Sequence, residues 1–411
     1  MDAIARTSSS FSVIIEFLII RYFSVIGQLN FKPFLRYFTQ FYISFFSMKL
    51  DTEVYRYLTR DDLRVLTAVE MGSKNHELVA PSLIDSIANL KRGGVQPIIK
   101  ELHKYKLLYH ESLPYHGFRL TYSGYDCLAI CTLTQRGVIC GVGRRVGVGK
   151  ESDVHVCFAK RSDSADDSVY SEDSEDSECS ETSEDEDTVP LILKLHRLGR
   201  ISFRTVKQNR DYLKNRKNAS WMYMARLAAE KEFSYAKILY ERGFPVPKPI
   251  DCNRHCIVME KIPGKTLYQL AYEDLTDDRA ESLLIELYGI ITRLGEIGLI
   301  HGDFNEFNLM YSESRDKVYV IDFPQVVRMD HANAEFYFNR DVQGVTNFFE
   351  KRFGIAKSEF SPKFCKVFDT YKSNSSSVVE SNKAFDDIQP PQLCTDEVTE
   401  YADDLSSSCS E

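Results

Sequence analysis

The chain has 411 residues, 43% of them hydrophobic, which is too long for one compact core of ordinary size and points to two or three domains. Its formal net charge of −9 is uneven: residues 163–187 carry thirteen acids and no Lys or Arg, residues 373–411 carry nine acids and one lysine, and subtracting both leaves +12 on the rest. A basic body with acidic appendages suits a phosphate-rich or nucleic-acid partner, and ten scattered cysteines without a second pair at zinc-ribbon spacing speak for reduced thiols in a cytosolic or nuclear setting.

Residues 1–47 are very aromatic, but Glu16, Arg21, Lys32, Arg36 and Gln40 break the apolar runs below the eighteen or so residues a spanning helix needs. We read them as an apolar extension, untranslated or disordered, with a membrane-associating segment as the lesser alternative. Met48 then opens what reads as a soluble domain. Thr59 is placed to cap a helix with Leu63, Leu66 and Val69 at helical spacing. "PSLIDSIAN" starts a second helix on a proline, and "GGVQPIIKELHKYKLL" a third, apolar at Ile98, Ile99, Leu102 and Leu107 and basic at Lys100, Lys104 and Lys106. "YHESLPYHGFRLT" alternates like a short hairpin. Three helices and a hairpin wing make residues 48–137 a winged-helix pattern, either nucleic-acid binding or a plain helical packing module.

From residue 138 the pattern turns to strands. "GVGKESDVHV" is a glycine-rich turn between two of them: Gly147 and Gly149 allow close approach to an anion, and Lys150 and Ser152 reach phosphate oxygens. It is not a Walker A loop, because Arg144 stands where the first glycine belongs and Glu151 follows the lysine. It fits the strand–turn–strand lid that protein kinases place over phosphates. The Ser- and acid-rich tract 162–188 cannot bury apolar surface and reads as a disordered insertion between paired strands. "LILKLH" resumes the sheet and places Lys194 on a buried strand, where it needs a carboxylate partner; Glu232 is preferred over Glu230 on the long helix that follows. Helices dominate 275–298, and 373–411 reads as a disordered acidic tail.

The stretch "LIHGDFNEFNLMYSESRDKVYVIDF" completes the set. Asp303 and Asn308 stand five apart, as in the catalytic loop of kinases, and Asp322 ends the run Val-Tyr-Val-Ile, where a metal-binding aspartate stands. One acid positions the incoming hydroxyl or water, and an amide and a second acid offer the oxygen ligands that magnesium takes.

Together "YLTRDDLRVLTAVEMG", "GVGKESDVHV", "LKLHRLGRISFRTVKQNRDY", "HGDFNEFNLM" and "IDFPQ" resemble the RIO family of atypical serine/threonine protein kinases, of the Rio-two type with an N-terminal winged helix. The resemblance runs from Met48 to about residue 355. It implies an α+β chain with a reduced bilobal kinase-like fold after the winged helix: N-lobe 138–260, C-lobe 261–372. It implies ATP and Mg2+ as ligands, Gly147, Gly149, Lys150, Glu151 and Ser152 around the phosphates, Lys194 paired with Glu232, and a hinge at Met259, Glu260 and Ile262. Asp303 is then catalytic, with Asn308 and Asp322 on magnesium and Asp322 open to transient phosphorylation. Implied partners are the pre-40S ribosomal particle, its rRNA and ribosome-assembly factors, in the cytoplasm with shuttling through the nucleus. The serines of the acidic tract suit an acid-directed kinase, and a membrane partner is not expected.

Gly302 replaces the usual Arg, "DFP" replaces "DFG", and no Ala-Pro-Glu follows. The peptide-docking platform is therefore expected to be missing, which favours ATP hydrolysis or autophosphorylation over peptide phosphorylation in trans. A small-molecule kinase of the aminoglycoside or choline type, and a scaffold that binds ATP without turnover, are the competing readings.

Overall fold

A computed structural model describes residues 54–91, 93–113, 115–161, 188–198, 220–272, 275–355 and 360–377. The readings of residues 1–47, the acidic insertion and the tail beyond Ser377, and the quoted stretch "LKLHRLGRISFRTVKQNRDY" after Leu198, lie outside the described residues.

Thr59 starts the first helix, α1 (Arg60–Gly72), with a reciprocal cap: its hydroxyl accepts the Asp62 N–H at 3.3 Å while Asp62 Oδ2 accepts the Thr59 N–H at 2.7 Å. Val65, Leu66, Ala68 and Val69 form its buried face. Helix α2 (Pro81–Ala88) opens on Pro81, whose missing N–H costs nothing at a helix start. Helix α3 (Val95–Lys104) buries Val95, Ile99 and Leu102 and leaves Lys100 and Lys104 exposed. Lys106 departs from expectation, lying past the helix end in a left-handed turn with φ 59°. Strands β1 (Leu108–Glu111) and β2 (Gly117–Leu120) pair antiparallel from Leu108↔Leu120 to Glu111↔Gly117 and form the wing.

Next comes α4 (Tyr122–Gln135), a helix the apolar periodicity did not announce. It is buried on two sides, so no polar face marks its period. Cys127 and Leu128 enter the winged-helix core, while Ala129, Ile130 and Leu133 enter the core beneath the following sheet.

That sheet runs β3-β4-β5-β7-β6, from β3 (Gly141–Val148), β4 (Ser152–Lys160), β5 (Thr188–His196), β6 (Pro249–Asn253) and β7 (Cys256–Glu260). The pairing of β4 with β5 is unbroken from Ser152↔His196 to Lys160↔Thr188. The acidic insertion therefore joins two neighbouring strands, and its boundary shifts by one residue because Thr188 already belongs to β5. Helix α5 (Trp221–Glu241) buries Ala228, Glu232, Tyr235 and Leu239, one stripe at helical spacing.

In the second lobe, β8 (Lys265–Thr266), β10 (Leu309–Ser312) and β11 (Lys317–Val320) form one small sheet, and β9 (Leu299–Ile300) pairs with β12 (Val327–Arg328). Around them pack α6 (Asp277–Glu296), α7 (Ala334–Phe353) and α8 (Phe364–Ser377), with Leu283, Leu287, Phe338 and Phe349 in the shared core. Helix α8 runs to Ser377, so the folded lobe does not end at residue 372. Its Tyr371 ring covers Gly298, where an added Cβ would stand 2.8 Å from the ring. The architecture is a winged helix followed by a reduced bilobal kinase-like fold, α+β in class, and among the described residues only β12, α7 and α8 follow Asp322 as regular elements.

Candidate active site

Lys194 sits on β5 between Val154 of β4 and Ile257 of β7 and is only 7% exposed. An ammonium at that depth needs compensation, and two carboxylates supply it: Nζ donates to Glu232 Oε1 at 2.6 Å and to Asp322 Oδ1 at 2.7 Å. Burial pushes the lysine pKa down, but Asp322 and Glu232 overrule it and hold the ammonium above its ordinary range. For Glu232, burial pulls upward and Lys194 downward, and the carboxyl ends at about 2. His196 Nε2 lies 3.1 Å from Glu232 Oε2. Glu230 is occupied elsewhere, taking Arg226 Nε at 2.7 Å.

The catalytic loop leaves β9 through His301 and Gly302. Gly302 has φ +77°, and a Cβ there would stand 2.6 Å from the Gln325 carbonyl oxygen, so an arginine cannot occupy the position without moving that backbone. Asp303 follows, half-buried. Its Oδ1 accepts Asn305 Nδ2 at 3.0 Å, and its Oδ2 accepts Asn308 Nδ2 at 3.1 Å and Gln325 Nε2 at 3.0 Å. Burial and then the nearby Asp322 charge raise the Asp303 pKa, which increases its proton affinity. The Ile321 N–H donates to the Asn308 carbonyl at 2.9 Å, so Asn308 and Asp322 are brought side by side. Asp322 itself holds φ 72°, a left-handed conformation uncommon outside glycine and most accessible to Asp and Asn.

The turn between β3 and β4 ends at Ser152, two residues before Val154, the strand partner of Lys194. Gly149 N–H donates to the Ser152 carbonyl at 2.7 Å and closes a tight loop from Gly147 to Ser152, with Lys150 exposed at its tip. Glu232, Ile257, Met259, Ile321, Asp322 and Phe323 help line a narrow cleft. Of the three hinge candidates only Met259 lines this cleft. The Glu260 N–H bonds the Lys248 carbonyl at 2.9 Å and its carboxylate takes Arg315 Nη1 at 2.7 Å, while Ile262 is buried at 5% exposure.

Three positioning residues escaped the sequence reading. Asn305 and Gln325 hold the Asp303 carboxylate. Asp341, from α7 and 2% exposed, accepts the Gly302 N–H at 2.7 Å and the Phe304 N–H at 3.1 Å, one on each side of Asp303. Burial raises the Asp341 pKa to about 6 against the pull of those two donors.

The RIO domain family matches residues 168–361 and the Rio2 N-terminal family matches residues 55–136. The serine/threonine-protein kinase rio2 of Schizosaccharomyces pombe is 43% identical over 347 residues, which are 84% of this chain and 91% of that protein. The chain belongs to the Rio2 family of serine/threonine-protein kinases. Its Dictyostelium discoideum relative, also a serine/threonine-protein kinase rio2, is 50% identical over 77% of this chain, which spans only 55% of that protein's length. The Rio2 kinase of Chaetomium thermophilum, crystallised as an ADP/Mg2+-phosphoaspartate complex, superimposes with a TM-score of 0.64 at 41% identity, over 87% of this chain and all of that one. In this Rio2 chain Lys194, Glu232 and Asp322, and Asp303 with Asn308, are joined by side-chain hydrogen bonds although they are spread over 129 positions of sequence.

Proposed function

We propose that the chain is an ATP-dependent atypical serine/threonine kinase and ATPase that acts in maturation of the small (40S) ribosomal subunit precursor. The observation that carries the catalytic part is Lys194 bridging Glu232 and Asp322 at 2.6 and 2.7 Å, on the strand that pairs with β4, into which the glycine turn leads. A lysine so placed meets the α- and β-phosphates of a nucleotide, and Gly147, Gly149, Lys150, Glu151 and Ser152 cover them. Asn308 commits its Nδ2 to Asp303, leaving its side-chain oxygen as an acceptor beside the Asp322 carboxylate. That all-oxygen donor set fits Mg2+, which when bound neutralises charge developing on the transferred phosphoryl group.

Asp303, with raised proton affinity and three amide donors fixing its orientation, accepts the proton of the attacking hydroxyl or water. The Asp322 carboxylate is a second acceptor: its oxygen attacks the γ-phosphorus, ADP leaves, and water later hydrolyses the acyl phosphate. The phosphoaspartate in the Chaetomium relative supports this route. So does the short run of elements after Asp322 among the described residues, β12, α7 and α8, which form no extended platform for a peptide substrate.

Ribosomal RNA is the partner that the chemistry favours. The +12 body, Lys100 and Lys104 on the open face of α3, and Arg119 stacked 4.5 Å over Tyr109 on the wing combine charge with an aromatic surface. Cytoplasmic action with passage through the nucleus, contact with assembly factors, and phosphorylation of the acidic tract by an acid-directed kinase belong to the same proposal. Affinity purification of wild type and Asp303→Ala from cells tests it: small-subunit precursors should accumulate on the variant. Equal, trace recovery of precursor rRNA with both would refute the ribosomal assignment.

A further inference from the structure

Arg197, three residues beyond Lys194, is fully buried at 0% exposure. Its guanidinium makes a two-pronged pair with Asp126 of α4, Nη2 to Oδ2 at 2.7 Å and Nη1 to Oδ1, while Nε reaches Asp153 Oδ2 at 3.2 Å. Its backbone N–H donates to the Glu151 carbonyl at 2.6 Å. His255 Nε2 adds a 2.8 Å contact to Asp126 Oδ1, and its ring stacks on Tyr125 with centroids 4.6 Å apart. One residue thus holds the glycine turn at Glu151, the start of the strand after it at Asp153, and the helix behind the wing at Asp126.

Stability alone is a poor reason for such a cluster. Desolvating these charges offsets most of their attraction, and apolar groups of similar volume often hold a core equally well. Apolar groups would not fix direction, however. The planar guanidinium sets the angle between Asp126 and Asp153, and the Arg197 amide sets the height of the turn at Glu151. Arg254 is an instructive contrast. It joins the same helical domain to the sheet through a two-pronged pair with Glu70, at 2.8 and 2.9 Å, yet lies in the β6–β7 turn and bonds no residue from Gly147 to Ser152.

We propose that Arg197 is a positioning residue that holds the Gly147–Ser152 turn over nucleotide phosphates only while docked on Asp126, so that α4 of the winged-helix domain sets the site's grip on the phosphate chain. The inference rests on the nucleotide reading above. Control then falls on phosphate affinity, and binding of adenosine, which lacks phosphates, is unaffected.

Calorimetric binding of MgATP and of adenosine to the full chain separates this from a structural role. Asp126→Asn and Arg197→Lys should weaken MgATP by about tenfold or more while adenosine stays within about twofold. Glu70→Gln should lower the melting temperature and leave both affinities unchanged. Arg197→Lys keeps a buried cation between the two carboxylates and carries the test should Asp126→Asn not fold. Equal losses for MgATP and adenosine, unchanged MgATP affinity in both clamp variants, or the same MgATP loss in Glu70→Gln would overturn the proposal. Wild type that binds neither ligand would overturn the nucleotide reading itself, and the clamp with it.

Discussion

Asp341 shows how much of the catalytic geometry rests on one buried carboxylate away from the substrate. Ionised, it accepts the amides on both sides of Asp303; protonated, it loses half its acceptor capacity and the loop loosens. Its pKa of about 6 stands above the ordinary 3.8, so the folded state holds this proton more tightly than the unfolded chain. The group therefore contributes stability below pH 3.8 that is lost as pH rises through about 6, an effect of about 3 kcal/mol for a shift of that size. Function runs the opposite way, since the ionised form positions Asp303. We predict that ATP turnover falls as pH drops through about 6, and that the Gly302 and Phe304 amide proton resonances titrate with the same midpoint. Amide resonances that stay flat from about pH 5 to 8 would remove Asp341 from this role. Lys194 was legible in the sequence because a cation inside an apolar strand needs a partner, and Asp303, Asn308 and Asp322 because their spacing is that of a kinase catalytic loop and metal aspartate. Asp341 was not, because a side chain that serves backbone N–H groups carries no fixed spacing to them. Gln325 stood inside the quoted "IDFPQ" but had no role there, since its partner Asp303 lies 22 residues away in sequence.

At the scale of elements, the strands and capped helices followed from local pattern: Thr59 caps α1, Pro81 opens α2, and the insertion falls between the paired β4 and β5. Helix α4 was hidden because it faces two cores at once, and hydrophobic period marks only one-sided burial. The basic face of α3 is smaller than its sequence promised, since Lys106 turns off the helix end. Two lysines then remain on that face. Replacing Lys100 and Lys104 together by Ala should reduce the slope of log affinity against log salt for a ribosomal RNA fragment by about one to two, with the melting temperature unchanged. A slope identical to wild type would take α3 out of the interface.

The winged helix and the kinase-like fold are joined through shared elements. The winged helix packs through α4 on the core under the nucleotide sheet, and the same helix supplies Asp126 to the Arg197 clamp. The reduced second lobe brings Asp303, Asn308 and Asp322 to the cleft, and the described residues after Asp322 form no extended peptide platform. The proposed chemistry is phosphoryl transfer to water or to Asp322. The most direct test is ATP turnover by wild type, Asp303→Ala and Asp322→Asn, each checked for an unchanged melting temperature; Asn is chosen at 322 because it tolerates the left-handed backbone there. The account predicts that both variants fold and lose on the order of a hundredfold or more in turnover. Hydrolysis at the wild-type rate by both folded variants would contradict it.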